Sequence, residues 1–132
     1  MSTTEQLAQR IANNPFLGFL KLRGAERQGT VAQLPFEPLL KNHVGTLHAG
    51  ALFATAFVRA QAEAQAVLGP GVNVHRLKSS SSIQYKRPGK GPVWCTATAH
   101  QTEAGLQVQC VLHSEADEPL AVFNTTFSLT EV

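Results

Sequence analysis

Charge is scarce in this chain: 11 Lys or Arg and 9 Asp or Glu among 132 residues, with a formal net charge of +2. So small and scattered a balance cannot neutralise a row of backbone phosphates, which argues against a nucleic-acid partner, although it leaves room to attract a small polyanion locally. Only two cysteines occur, Cys95 and Cys110. They are too few to staple a domain of this size, so a disulfide scaffold is excluded and reduced core thiols in a cytosol are expected. The longest largely apolar run, Ala49 to Val58, falls far short of the roughly 20 residues that cross a bilayer, so no membrane partner is expected. The opening MSTTEQLAQR has neither the basic start nor the apolar middle of a signal peptide, and the expected location is the cytoplasm. His43, His75, His100 and His113 are too dispersed to suggest a metal site, and no G-x-S-x-G elbow is present. The Gly-Lys-Gly at 89–91 precedes no helix and is not a phosphate loop. No cofactor is expected.

What is present fits one compact domain, residues 1–132, with 43% hydrophobic residues to fill a single core. Little surface charge beside that much apolar content points to burial against a second copy. A short amphipathic helix is expected from Ser2 to Asn13-Asn14-Pro15, then two strands either side of Arg27-Gln28-Gly29. A long alanine-rich helix is expected at about 48–68, ended by Gly69-Pro70-Gly71. Four strands follow, Asn73 to Lys86, Val93 to His100, Leu106 to His113 and Leu120 to Leu129, which are expected to be linked by hairpins. One long helix and an antiparallel sheet with one apolar face give an α+β architecture in which a curved sheet wraps the helix.

The chemistry gathers where that helix begins. Asn42-His43-Val44-Gly45-Thr46-Leu47-His48-Ala49-Gly50 leads into the helix N-terminus, whose unpaired N–H groups and positive dipole end can polarise a carbonyl. Gly45 and Gly50 keep that backbone accessible. These residues resemble the hotdog-fold acyl-CoA thioesterases, in which an HGG-like turn opens the central helix; here it stands as GTLHAG. The order of elements, the YKRP that ends the first strand after the helix and the closing three-strand meander extend the resemblance over nearly the whole chain.

The resemblance implies a thioester ligand carried by coenzyme A or an acyl carrier, and a homodimer or dimer of dimers. It makes Asn42 and His48 polar site residues that orient water or substrate, and gives the Ala49 and Gly50 amides the task of polarising the thioester carbonyl. It also implies a carboxylate nine residues after His48, and there the chain departs, because that position is Phe57. A phenyl ring cannot activate water. Gln61, one turn on, shares the Phe57 face and could position a water, whereas Glu63 lies about 120° further round the helix, where an ion pair with Arg59 is expected. Lys78 falls where related enzymes carry a small polar active-site residue and is read either as a pocket residue or as an ordinary solvated lysine, while Tyr85, seven residues on, is taken as a substrate-binding residue. Lys86, Arg87 and Lys90 are read either as solvated charges on a hairpin tip or as contacts for coenzyme A phosphates. Two functions therefore stand: a thioesterase without its usual base, or a non-catalytic acyl-CoA or acyl-chain binding protein.

Overall fold

The computed structural model describes residues 32–34, 45, 46 and 48–131. The expected N-terminal helix, the strand before Arg27-Gln28-Gly29 and Asn42 lie outside the described residues. β1 (Ala32–Leu34) is followed by the central helix α1 (Ala49–Leu68), a 3-10 turn (Val74–Arg76), and then β2 (Leu77–Tyr85), β3 (Val93–Thr102), β4 (Gly105–His113) and β5 (Pro119–Glu131).

The helix starts and stops where residue chemistry dictates. His48 is extended and caps it through its side chain, and Gly69 ends it at φ 84°, donating its N–H to Gln65 O. That left-handed backbone suits a residue without a β-carbon. Gln65 then ties down the exit, its amide donating to the Gly69 and Val72 carbonyls while its oxygen accepts from Val74 N. Alanines 51, 56, 60, 62 and 64 are buried, and such short side chains let the helix lie close against β3 and β4, which it contacts most.

All strand pairings are antiparallel, in the order β1-β3-β4-β5-β2. The inward row Ala97, Cys110, Phe123 and Ile83 runs straight across four strands. The neighbouring outward rows carry Thr98, Gln109, Asn124 and Ser82, then His100, Gln107, Thr126 and Ser80. No charged residue stands in them.

This order corrects one expectation. β2 and β3 do not form a hairpin, because β2 pairs with β5 instead. The connection at 86–92 therefore crosses the end of the sheet, a gap of about 14 Å over three strand spacings, which its seven residues span easily. Pro88 and Pro92 suit an extended crossing better than a tight turn. Lys86, Arg87 and Lys90 consequently lie on a strap beneath the sheet end rather than on a hairpin tip. The β3–β4 connection is a true hairpin, closing at Thr102 and Gly105.

Candidate functional site

The start of α1 and the strap after β2 meet. Thr46, Ala49, Leu52, Tyr85, Lys86, Arg87 and Pro88 line a cleft of about 350 Å³. The strap is held there by Leu120 O, which accepts from Lys86 N at 2.8 Å and Arg87 N at 3.1 Å. Of the residues picked out from sequence, the structure thus brings together Ala49, Tyr85, Lys86 and Arg87, with His48 and Gly50 adjoining.

The hydrogen bonding at the helix start is specific. His48 Nδ1 accepts from Gly50 N at 2.9 Å, so in the neutral ring the proton sits on Nε2. His48 O accepts from Ala51 N at 3.0 Å and Leu52 N at 3.2 Å. Tyr85 Oη donates to Ala49 O at 2.9 Å. The Ala49 N–H is left without a partner among the described residues. One expectation, for the Gly50 amide, changes as a result, and the role left to Tyr85 becomes defined. The Gly50 amide does not face a ligand, because the His48 ring occupies it, and the Tyr85 hydroxyl is spent on the backbone, leaving its ring as cleft wall. Gly50 serves the cap instead, since a β-carbon there would come within 3.0 Å of His48 Nδ1. Burial raises the Tyr85 pKa, which keeps the phenol a donor.

Phe57 is half-buried and packs in an aromatic trio. Its ring stacks on Phe53 with centroids 6.4 Å apart and meets Phe123 edge-on at 6.3 Å, while Phe53 meets Phe123 at 5.3 Å. Phe53 was not singled out from sequence, although its i,i+4 spacing to Phe57 was the available signal. At 1.5 Å per residue Phe57 lies about 12 Å along α1 from Ala49, and Gln61 about 18 Å. Gln61 is half-buried and already engaged by a neighbour. Lys78 is exposed and stands seven residues from Tyr85, about 23 Å along β2, on the alternate face of the strand. It is not brought to this cleft.

Charge around the cleft is partly spent. Arg87 Nη1 meets Glu118 Oε2 at 2.9 Å, and beyond Arg87 and Pro88 a second cleft of about 490 Å³ is lined by Lys90, Ser114, Glu115 and Glu118 among others. Lys86 and Lys90 make no ion pair among the described residues. Arg59 Nη1 pairs with Glu63 Oε1 at 2.9 Å, as its spacing implied. Cys95 and Cys110 are free, buried thiols; the hydrogen bond with Cys95, then burial, push the Cys110 thiol well above its ordinary range. Among the described residues no cluster of His, Cys, Asp or Glu could hold a metal, and no helix is long and apolar enough to cross a membrane.

A curved antiparallel sheet around one long helix is the hotdog fold, and solved structures share it, some of them described as thioesterases. Thioesterase HI1161 from Haemophilus influenzae superposes with a TM-score of 0.77 at 19% identity, over 97% of this chain and 90% of that one. The PaaI protein of the Escherichia coli phenylacetic acid degradation operon gives 0.73 at 16%, over 98% and 96%. BH2602 from Bacillus halodurans, solved with CoA, gives 0.73 at 17%, over 96% and 85%. No curated protein sequence matches. The chain itself belongs to the family described as Domain of unknown function (DUF4442), whose model matches residues 18–129.

Proposed function

We propose that this protein takes an acyl thioester of coenzyme A, or of an acyl carrier, with the thioester carbonyl accepting the Ala49 N–H, and that it hydrolyses that thioester slowly for want of a base. The observation that carries the reading is that amide: unpartnered among the described residues, at the positive end of a 20-residue helix, in a cleft beside Lys86. An aligned amide at a developing oxyanion is worth about 3 kcal/mol in a transition state. Asn42 and His48 Nε2–H are assigned to orienting water or substrate, and Lys86 and Lys90 to the phosphates.

Among the described residues the cleft offers no carboxylate, and loss of general-base help typically costs about 100-fold to 10,000-fold in rate. The packing of Phe57 against Phe53 and Phe123 favours a second reading, a pocket that binds the thioester without turnover. Phe57 and Gln61 lie too far along α1 to reach the same thioester as Ala49 within one chain, which supports a homodimer whose two helices place these residues at a shared site. The edge strand β2, with exposed Ser79 to Ser82 and one unpaired edge among the described strands, suits such pairing. Two such dimers could associate in turn, and the free thiols suit a cytoplasmic setting.

The test is a panel of acyl-CoA thioesters assayed for hydrolysis and for binding with wild type, Asn42→Ala and Phe57→Glu. Turnover by wild type that Asn42→Ala abolishes supports the hydrolase. Binding without turnover, with activity gained in Phe57→Glu, supports the binding protein. No binding by any variant refutes both.

A further inference from the structure

We propose that Tyr85 is a positioning residue that aims the Ala49 amide, an inference that rests on that amide being the carbonyl donor. Two planar peptide units meet at the Ala49 Cα, and each is fixed in orientation by whatever grips its polar ends. The His48–Ala49 unit is held at its oxygen, which accepts from Ala51 N and Leu52 N. The Ala49–Gly50 unit is held at both ends: Ala49 O by the Tyr85 hydroxyl at 2.9 Å and Gly50 N by His48 Nδ1 at 2.9 Å. Three of the four polar ends are therefore anchored, and the fourth is the Ala49 N–H.

Tyr85 supplies the one grip among these that does not come from the helix start itself. It stands 36 residues away in sequence, at the end of β2, so it fixes the amide relative to the sheet and the strap that form the rest of the cleft. Contacts within the helix start tie His48 only to its own turn; the Tyr85 hydroxyl ties that turn to β2. The arrangement also selects ligand chemistry. With the Gly50, Ala51 and Leu52 N–H groups occupied, Ala49 offers the one backbone amide of the first helical turn left among the described residues, which suits a single neutral carbonyl oxygen. A phosphate or carboxylate at a helix N-terminus draws on several N–H groups at once.

The test compares two sets of coenzyme A ligands by calorimetry: ketone analogues with a methylene between sulfur and carbonyl, and thioethers of matching short, medium and long chains that lack the carbonyl. Wild type should prefer the ketones by about five-fold, the value of one net hydrogen bond. In Tyr85→Phe that preference should fall to near unity while thioether affinity stays within two-fold. A Tyr85→Phe protein that keeps the preference, or that weakens toward both sets equally, overturns the positioning role and leaves the thioester reading intact. A wild type that binds both sets without preference removes Ala49 as donor. One that binds neither set overturns the thioester reading and the positioning role with it. A second measurement needs no ligand: hydrogen exchange at Gly50 N–H should quicken in Tyr85→Phe, and an unchanged rate refutes the grip.

Discussion

Gly50 and His48 form a pair whose energies can be separated by a double-mutant cycle. A β-carbon at residue 50 would meet His48 Nδ1 at 3.0 Å and Cε1 at 3.1 Å, so Gly50→Ala must push the ring off the Gly50 N–H it caps at 2.9 Å. Losing an N-cap costs about 1 kcal/mol, and Gly→Ala in a helix gains up to about 1 kcal/mol, with less expected in a first turn. In the wild-type background the two nearly cancel, and Gly50→Ala should be neutral or destabilising by under about 1 kcal/mol. His48→Ala alone should cost about 1 kcal/mol. Once the ring is gone the added methyl meets nothing, so Gly50→Ala in the His48→Ala background should stabilise by roughly 0.5–1 kcal/mol. The same substitution thus changes sign or loses its penalty, a coupling of about 1 kcal/mol. Equilibrium urea denaturation at one fixed protein concentration reads it as midpoint shifts. If Gly50→Ala has the same effect in both backgrounds, to within about 0.3 kcal/mol, the His48 ring does not cap Gly50 and the account of the site geometry fails.

The Cys110 thiol and the Tyr85 phenol both have raised pKa values in the fold. Unfolded thiols ionise first, so their stabilisation is complete below about pH 8.5 and is lost as pH rises toward the folded value. Stability measured by thermal melting should therefore decline on the alkaline side, and Cys110→Ala should flatten the first part of that decline; a parallel curve would contradict the assignment. Glu63→Gln should cost about 1–2 kcal/mol, since it leaves Arg59, 3% exposed, without its counter-charge. Any thioester turnover should stay within two-fold, and a large loss would place Glu63 in the site after all.

Much of the fold was legible because its signals are local. The helix expected at 48–68 runs Ala49–Leu68, bounded by a capping histidine and a Gly-Pro-Gly stop. The Arg59–Glu63 pair followed from i,i+4 spacing, and Cys95 and Cys110 sit diagonally across the β3–β4 hairpin, Cys95 opposite Leu112 and Cys110 opposite Ala97. What sequence did not reveal depends on long-range topology. Alternation along β2 says which face each residue takes but not which strand lies beside it, and its partner proved to be β5. The basic residues at 86–90 were misplaced for that reason. The site was legible in its residue types and less so in its hydrogen bonds. That His48 would consume the Gly50 amide, and Tyr85 the Ala49 carbonyl, depends on rotamers and on a contact 36 residues apart in sequence.

The pairing of β2 with β5 also has a consequence for how the chain acquires its structure. As synthesis proceeds, β2 emerges before β3 and β4, yet its only strand partner among the described elements begins at Pro119. Through all the intervening residues the edge that β5 will cover must wait open, the condition in which apolar strands associate wrongly with other nascent chains. The run Ser79 to Ser82 makes that delay safe: four hydroxyl side chains give the waiting strand little apolar surface to offer a stranger. Replacing them with valines would improve strand propensity and shorten the odds of aggregation before the last strand arrives.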